Sequence, residues 1–346
     1  MKSRLCQHLI ILAVLISALY GSSYQQFRHF DRTDPRGAND SASYLEMSHG
    51  NYDVRSDHRY RFIVPALAGA LQPLIGNVVQ DPIERDNLSF YVVNFGFMAA
   101  AGWLFYQLLI AYGFSWQLAL IGLLFFCCNR IAAFSTGTPM VDSAYYFAIV
   151  FTLFCVQQKH KTALALAMPL LVLTKETTFP FLVLGWALLR KRERALDPLD
   201  IGLAAAVAAI AASRHFIGGL ATSEGANLFE IVLHRNLLQI PETLAHLFSL
   251  SGLHDLQTGY ALLFVLAIIG WWLHRKEGPA VRHEIPPAFL LVIPLTLVYV
   301  LISMNLGRML FAACFVVIPY ALVAIDYVME NRGIRVEEPV RGPDPV

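Results

Sequence analysis

Long apolar runs separated by short polar stretches dominate the sequence. Runs of about twenty apolar residues predict helices that cross a lipid bilayer. Candidate spans can be placed to within a few residues, at positions 5–22, 88–112, 115–134, 140–157, 162–174, 177–190, 199–217, 257–274, 286–303 and 308–329. The pattern therefore predicts an all-α fold: a polytopic transmembrane helical bundle of about ten spans, in a single domain over residues 1–330.

The composition supports this interpretation and excludes several others. Of 346 residues, 56% are hydrophobic and 15% are charged, whereas ordinary soluble domains have roughly 45–50% and about 25%. Disorder and a water-soluble globule are both excluded, and membrane lipid is the expected surrounding. The formal net charge is only +1, so no basic field indicates a nucleic-acid partner.

The first apolar run has two interpretations. Lys2 and Arg4 precede it, so Leu5–Ser22 is either a cleavable signal peptide or a first membrane anchor. The small residues Gly21–Ser23 would suit a peptidase. We favour the anchor, because the topology below requires this run to be retained.

The cysteines give no sign of a metal or of disulfide chemistry. All of them lie inside apolar runs, which is typical of small buried hydrophobic residues: Cys6, Cys127, Cys128, Cys155 and Cys314. No His or Cys spacing typical of a zinc site occurs. The sequence therefore predicts no cofactor and no metal site. A divalent cation would be compatible with the chemistry discussed below, but nothing indicates one.

The distribution of basic residues orients the predicted bundle. The positive-inside rule places these clusters together on the cytoplasmic side: Lys2/Arg4, Lys159/Lys161, Arg190–Arg194, His274–Arg282 and Arg332/Arg335. Both termini are then cytoplasmic. This assignment holds only if Phe62–Val79 is a re-entrant or juxtamembrane helix that does not cross. It also requires residues 162–190 to form two short arms that turn back at Thr174–Thr177.

Two large outer loops follow from this topology, over residues about 23–87 and 218–256. Within the second, residues 222–250 have the apolar spacing of amphipathic helices on a membrane surface. The Pro-rich and charged tail, residues 331–346, is predicted to be a disordered cytoplasmic end.

Ionisable residues beside the predicted spans are the candidates for function, because charges are costly near lipid. The first outer loop combines carboxylates and arginines, and arginine suits phosphate oxygens. Lys175 and Glu176 lie between two apolar arms, and Arg308 begins the last span. These residues also have structural explanations. Lys175 and Glu176 would form an ion pair at the hairpin tip, and Arg308 would be an interfacial anchor. Asp142, a further candidate, would have a favourable place in the first turn of a helix.

These residues occur in an order that resembles the GT-C superfamily of polytopic glycosyltransferases, in particular its small bacterial members. The resemblance covers about residues 5–330 and rests on Asp40-x-x-x-Tyr44, the stretch Arg59–Ala68, Pro139-x-x-Asp142, Lys175-Glu176-Thr177 and Gly307-Arg308. Each motif alone is short, so the order and the shared predicted face carry the comparison.

The resemblance implies transfer of a sugar from a polyprenyl-phosphate carrier to a glycan, lipid or protein acceptor. The reaction would proceed with inversion at the outer face of the cytoplasmic, or inner, membrane. Asp40 matches the general base, with Asp31 or Asp34 as alternatives because Asp40 lacks the second acidic residue common in the family. Lys175, Arg308 and either Arg59 or Arg61 match the cations that hold the carrier phosphate. The other expected substrate-binding residues are Tyr44, His58, Asp142 and Glu176.

Three other functions are compatible with the sequence. A polymerase or ligase of lipid-linked glycans would place its essential arginines in a late outer loop, and residues 218–256 lack a dense arginine cluster. A flippase or transporter would be favoured by inverted repeats with broken helices, of which only the interruption within 162–190 is visible. An inactive scaffold of the same fold is disfavoured by the presence of Asp40 and Lys175.

Overall fold

The computed structural model describes residues 2–32, 35–190, 197–221, 237–260, 262–277, 283–303 and 306–332. All regular secondary structure in these ranges is helical, which confirms the predicted all-α class. The helices are α1 (Lys2–Arg28), α2 (Pro35–Ser48), α3 (Ile63–Ile75), α4 (Pro82–Ala111), α5 (Trp116–Cys127), α6 (Arg130–Gly137), α7 (Asp142–Gln157), α8 (Lys161–Thr174), α9 (Phe179–Leu189), α10 (Pro198–Gly218), α11 (Ile240–Leu247), α12 (Leu250–Tyr260), α13 (Leu263–Glu277), α14 (Val292–Ser303), α15 (Leu306–Leu310) and α16 (Cys314–Asn331).

Several of these helices are long and apolar enough to cross a bilayer. Within the described ranges there are four such segments: Leu5–Arg28, Pro82–Ala111, Pro198–Gly218 and Gly307–Asn331. The pair α5 and α6, bent by 59° at a short break, makes a fifth if it is one span. The chain therefore has the helices of a membrane protein, with four or five candidate spans by length and composition.

Helix boundaries differ from the predicted spans where polar residues cap or interrupt a run. The predicted span 88–112 begins earlier, at Pro82, because Asp81 accepts hydrogen bonds from the backbone of Ile83 and Glu84. The predicted span 115–134 is not one straight helix, since Asn129 caps a new helix by accepting from Ile131. Capping of this kind satisfies exposed backbone donors and starts a helix regardless of hydropathy.

The later predicted spans are also shifted. The span 257–274 is replaced by α12 and α13, and the span 286–303 begins with a short 3₁₀ turn at Pro287–Leu291 before α14. Helix α16 reaches Asn331, the first residue of the predicted tail, and residues 333–346 lie outside the described ranges. Of the predicted amphipathic stretch, residues 222–236 also lie outside them, while α11 and the start of α12 cover the rest.

The predicted first outer loop, over residues about 23–87, is more helical than expected. It contains α2, which the sequence analysis missed because its polar composition gives no long apolar run. The stretch predicted as a non-crossing helix forms α3, which has 13 residues and is too short to span a bilayer alone. Together α2 and α3 form a small layer packed against α4.

Helix α1 packs along one face against the core of the protein. Ile11, Leu15 and Leu19 on one face are fully buried, and a Cβ atom added at Gly102 of α4 would lie 2.7 Å from Leu15. This close approach depends on the missing side chain at Gly102. The opposite face of α1 is exposed, and retention of this run as an anchor stays a prediction.

Helices α8 and α9 form an antiparallel hairpin. A Cβ atom at Gly185, near the end of α9, would lie 3.0 Å from Leu164, near the start of α8. At the open end, Lys161 lies 3.0 Å from Asp197 and Arg190 lies 2.8 Å from Asp200. Asp197 and Asp200 form the capping box that begins α10, so Lys161 and Arg190 lie at the same end of the hairpin. The tip of the hairpin, at Lys175, lies at the opposite end.

Candidate active site

The predicted site residues come from four separate parts of the chain. Asp40 lies on α2, Asp142 is the first residue of α7, Lys175 follows the last residue of α8, and Arg308 lies on α15. All four side chains meet in one network of ion pairs at the tip of the α8–α9 hairpin.

Asp142 is the centre of this network. Its Oδ1 accepts a hydrogen bond of 2.7 Å from Lys175 Nζ, and its Oδ2 accepts from Arg308 Nε at 2.9 Å. Arg308 Nη2 lies 2.7 Å from the same Oδ2. The side chains of Asp142 and Lys175 are each only 1% exposed. One buried carboxylate therefore holds two cations side by side, which is the arrangement that makes its burial tolerable.

Asp40 binds the other side of Arg308 and is more open to solvent. Its Oδ2 accepts a hydrogen bond of 2.9 Å from Arg308 Nη1, and its Oδ1 lies 3.3 Å from His58 Nε2. Arg55 Nη1 lies 3.8 Å from the same oxygen. Burial raises the pKa of Asp40, but the hydrogen bond from His58 and the charge of Arg308 outweigh it and hold that pKa well below its usual range. Asp40 is therefore a carboxylate.

A second ion pair joins the loop before α3 to the hairpin tip. Arg61 donates from Nε to Glu176 Oε2 at 2.9 Å and also binds Glu176 through Nη2. Its Nη1 donates to the hydroxyl of Tyr44 at 3.1 Å. Burial raises the pKa of Tyr44 to about 12, so the phenol stays neutral. The result is a bridge from α2 to Glu176 through one guanidinium group.

Two tyrosines that the sequence analysis missed support the network. Lys175 Nζ lies 4.9 Å from the centre of the Tyr145 ring, and Tyr146 donates a hydrogen bond of 2.8 Å to the backbone oxygen of Arg308. Tyr145 and Tyr146 follow Asp142 by three and four residues, so all three lie on one helix face. That spacing is the signal that could have revealed them.

The two remaining candidates, His58 and Arg59, differ in their contacts with the network. His58 is buried against the ring of Tyr44, with ring centres 5.2 Å apart, and faces Asp40. Arg59 instead donates from Nη2 to the backbone oxygen of Val54 at 2.9 Å, within its own loop. Of the two arginines proposed for the phosphate, Arg61 is therefore the one that meets the hairpin tip.

Asp31 and Asp34 are the two alternative bases. Asp31 is exposed, after the end of α1, and Asp34 lies outside the described ranges. Asp40 is in contact with Arg308. Within the described ranges, no group of three His, Cys, Asp or Glu side chains could hold a metal ion. Chemically, the site offers one partly exposed carboxylate, Asp40, beside a neutral phenol, two guanidinium groups and one ammonium group.

Comparisons of the chain with protein-family models, with curated proteins and with solved structures found no match. The likeness to the GT-C superfamily is therefore a resemblance of ordered sequence motifs.

Proposed function

We propose that the protein is an inverting membrane glycosyltransferase of the GT-C type. It moves a sugar from a polyprenyl-phosphate carrier to a glycan, lipid or protein acceptor. The observation that carries this proposal is the network in which Asp40, Asp142, Lys175 and Arg308 meet although they are far apart in sequence. An otherwise apolar helical protein gains nothing in solubility from burying so many charges, and ionisable groups at such depth are functional candidates.

The cations suit the phosphate of a lipid carrier. Arg308 and Lys175 share Asp142, so two positive groups are held next to one another with their geometry fixed. A guanidinium group binds two phosphate oxygens at once, and an ammonium group adds a point charge. Arg61 lies at the same hairpin tip through Glu176. These groups stabilise the negative charge that grows on the phosphate as the sugar leaves.

The carboxylate of Asp40 provides the base. In the proposed step, the acceptor hydroxyl oxygen attacks the anomeric carbon from the face opposite the phosphate. The bond between that carbon and the phosphate oxygen breaks, and its electron pair stays on the phosphate. The hydroxyl proton passes to Asp40. A phosphate is a good leaving group, so a second carboxylic acid is not required.

The proposed setting is the inner membrane, with the site at the outer face and both termini in the cytoplasm. The basic ends of the α8–α9 hairpin support this orientation, since Lys161 and Arg190 lie together at the end opposite the site. The proposal keeps about ten membrane segments, in which short helices and the hairpin accompany the long spans. The remainder of the chain, residues 331–346, would be a cytoplasmic tail. No cofactor is part of the proposal.

The location of the site favours transfer over the alternatives. A polymerase or ligase would concentrate its essential groups in a late outer loop, whereas here the first outer loop supplies Asp40 and Arg61. A flippase for a lipid-linked sugar needs cations for the phosphate but no base beside them. The partly open Asp40, next to Arg308, is the feature that a flippase would not use.

Purified protein in proteoliposomes tests the proposal with polyprenyl phosphates carrying radiolabelled sugars and with glycan, lipid and peptide acceptors. We expect label on an acceptor with inverted anomeric configuration. Asp40→Asn should lower the rate about 10²–10⁴-fold, the usual value of a general base. Glu46→Gln is the matched control, because Glu46 is an exposed acid of the same helix, α2, and accepts a hydrogen bond from Asn51 at 3.0 Å, and it should keep most of the rate.

Two results would contradict the proposal. If the folded Asp40→Asn variant transfers sugar at the parent rate, Asp40 is not the base. If the protein instead moves the intact lipid-linked sugar across the membrane without releasing the carrier phosphate, it is a flippase and not a transferase.

A further inference from the structure

Arg308 is shared between two carboxylates that differ in their surroundings. The side chain of Asp142 is 1% exposed, whereas that of Asp40 is 28% exposed. Asp142 accepts from Nε of Arg308, lies 2.7 Å from its Nη2 and also holds Lys175. Asp40 accepts a hydrogen bond from the Nη1 atom of Arg308. The inner carboxylate is therefore embedded, and the outer one lies on the open side of the guanidinium group.

An anion that enters from solvent meets the Asp40 side of Arg308 first. Displacing Asp142 from Arg308 would leave a fully buried carboxylate with Lys175 as its remaining cation, and a buried ion that loses a partner is strongly disfavoured. Displacing Asp40 costs less, because its oxygen Oδ1 stays 3.3 Å from His58 and 3.8 Å from Arg55 and its side chain reaches water. The bond between Arg308 and Asp40 is therefore the exchangeable one.

We propose that these two carboxylates have different roles, an inference that rests on the proposed function. Asp142 is a positioning residue that stays bound and orients Arg308 and Lys175, whereas Asp40 gives up Arg308 to the phosphate of the donor. No covalent bond changes in this exchange. One anion replaces another on Nη1.

The exchange makes Asp40 a better base only when the donor is present. Asp40 is faced by Arg308 from α15, by His58 and Arg55 from the loop before α3, and by Asp142 from α7. Losing Arg308 removes one cation from this set, and the phosphate adds an anion close by. Both changes favour proton uptake by a carboxylate. The acceptor is thus activated after the donor has bound.

Binding of a short isoprenyl methyl phosphodiester to the full chain in nanodiscs tests the division of roles. This probe carries a single negative charge, as the phosphate of the donor does, and calorimetry gives its Kd. Asp40→Asn should bind it about tenfold more tightly than the parent, because the competitor for Arg308 is gone. Glu46→Gln removes an equal charge from the same helix and should change Kd by no more than about twofold.

Asp142 should behave in the opposite way. Asp142→Asn should weaken binding of the probe about tenfold or more, since both cations lose their common partner, and Asp142→Glu should restore part of that affinity. A merely structural carboxylate would lower the melting temperature without the rescue of affinity. Melting temperatures of all variants are measured in parallel, and Asp40→Asn keeps the test decisive if Asp142→Asn does not fold.

The outcomes separate this inference from the proposed function. If Arg308→Ala abolishes binding while Asp40→Asn binds like the parent or more weakly, the exchange is wrong and the donor site stands. If Arg308→Ala binds the probe like the parent, the donor site itself is wrong. Tighter binding by Asp40→Asn than by Glu46→Gln is the result that supports the inference.

Discussion

At the scale of single residues, Lys175 shows what the network costs and what holds it. Its side chain is 1% exposed, with Asp142 Oδ1 at 2.7 Å and the ring of Tyr145 at 4.9 Å. Taking an ammonium group out of water costs several kcal/mol, which the partner carboxylate must offset. The sequence indicated that Lys175 was unusual, because it interrupts apolar residues, but only the fold revealed that its partner is Asp142 and not its neighbour Glu176.

Lys175→Met should therefore destabilise the protein strongly. The change leaves Asp142 buried with only Arg308, and breaking a buried pair costs about 3 kcal/mol. Arg28→Gln is the control, because Arg28 and Glu84 form a pair 3.4 Å apart in which both side chains are half exposed. It should lower the free energy of unfolding by less than about 1 kcal/mol. Unfolding in mixed micelles measures both, and equal losses for the two variants would contradict the account.

At the scale of elements, the hairpin determines where the site lies. Helix α8 has 14 residues and α9 has 11, so at about 1.5 Å per residue the arms reach roughly 21 and 17 Å. Both are shorter than the roughly 30 Å apolar core of a bilayer. In the proposed orientation the tip ends inside the membrane, sheltered by α2, α3 and α7. The sequence predicted this turn from its flanking charges, whereas the bend after α5 and the polar helix α2 gave no hydropathy signal.

The position of the hairpin depends on its close contact with α10. A Cβ atom at Gly202 would lie 2.6 Å from the backbone oxygen of Ala165, so Gly202→Ala should push α10 away from α8 and lower the melting temperature by several degrees. Gly96→Ala is the matched control, because no atom lies within 4 Å of the added carbon. It should leave the protein as stable or slightly more so, given the better helix propensity of alanine. Scanning calorimetry compares them, and an unchanged melting temperature for Gly202→Ala would refute this contact.

At the scale of the whole molecule, the sequence was informative about class and about which charges to examine. Runs of apolar residues identify helices, and rare ionisable residues inside them are visible without a structure. The sequence could not predict which side chains contact each other when their residues lie far apart in the chain. The contact of Arg308 with Asp40 joins residues far apart in the chain, and the assignment of Arg61 rather than Arg59 to the hairpin depends on the local path of one loop. Neither follows from hydropathy or spacing.

The central claim is that these residues assemble at one membrane face, opposite the open end of the hairpin. Single cysteines at Ala42, exposed on α2 beside Asp40, and at Gln158, exposed after α7, test it most directly. Cys6 and Cys128, which are exposed, are first changed to serine. With a membrane-impermeant maleimide on intact cells, the account predicts labelling of Ala42→Cys at once and of Gln158→Cys only after permeabilisation. Labelling of both from the same side would contradict it.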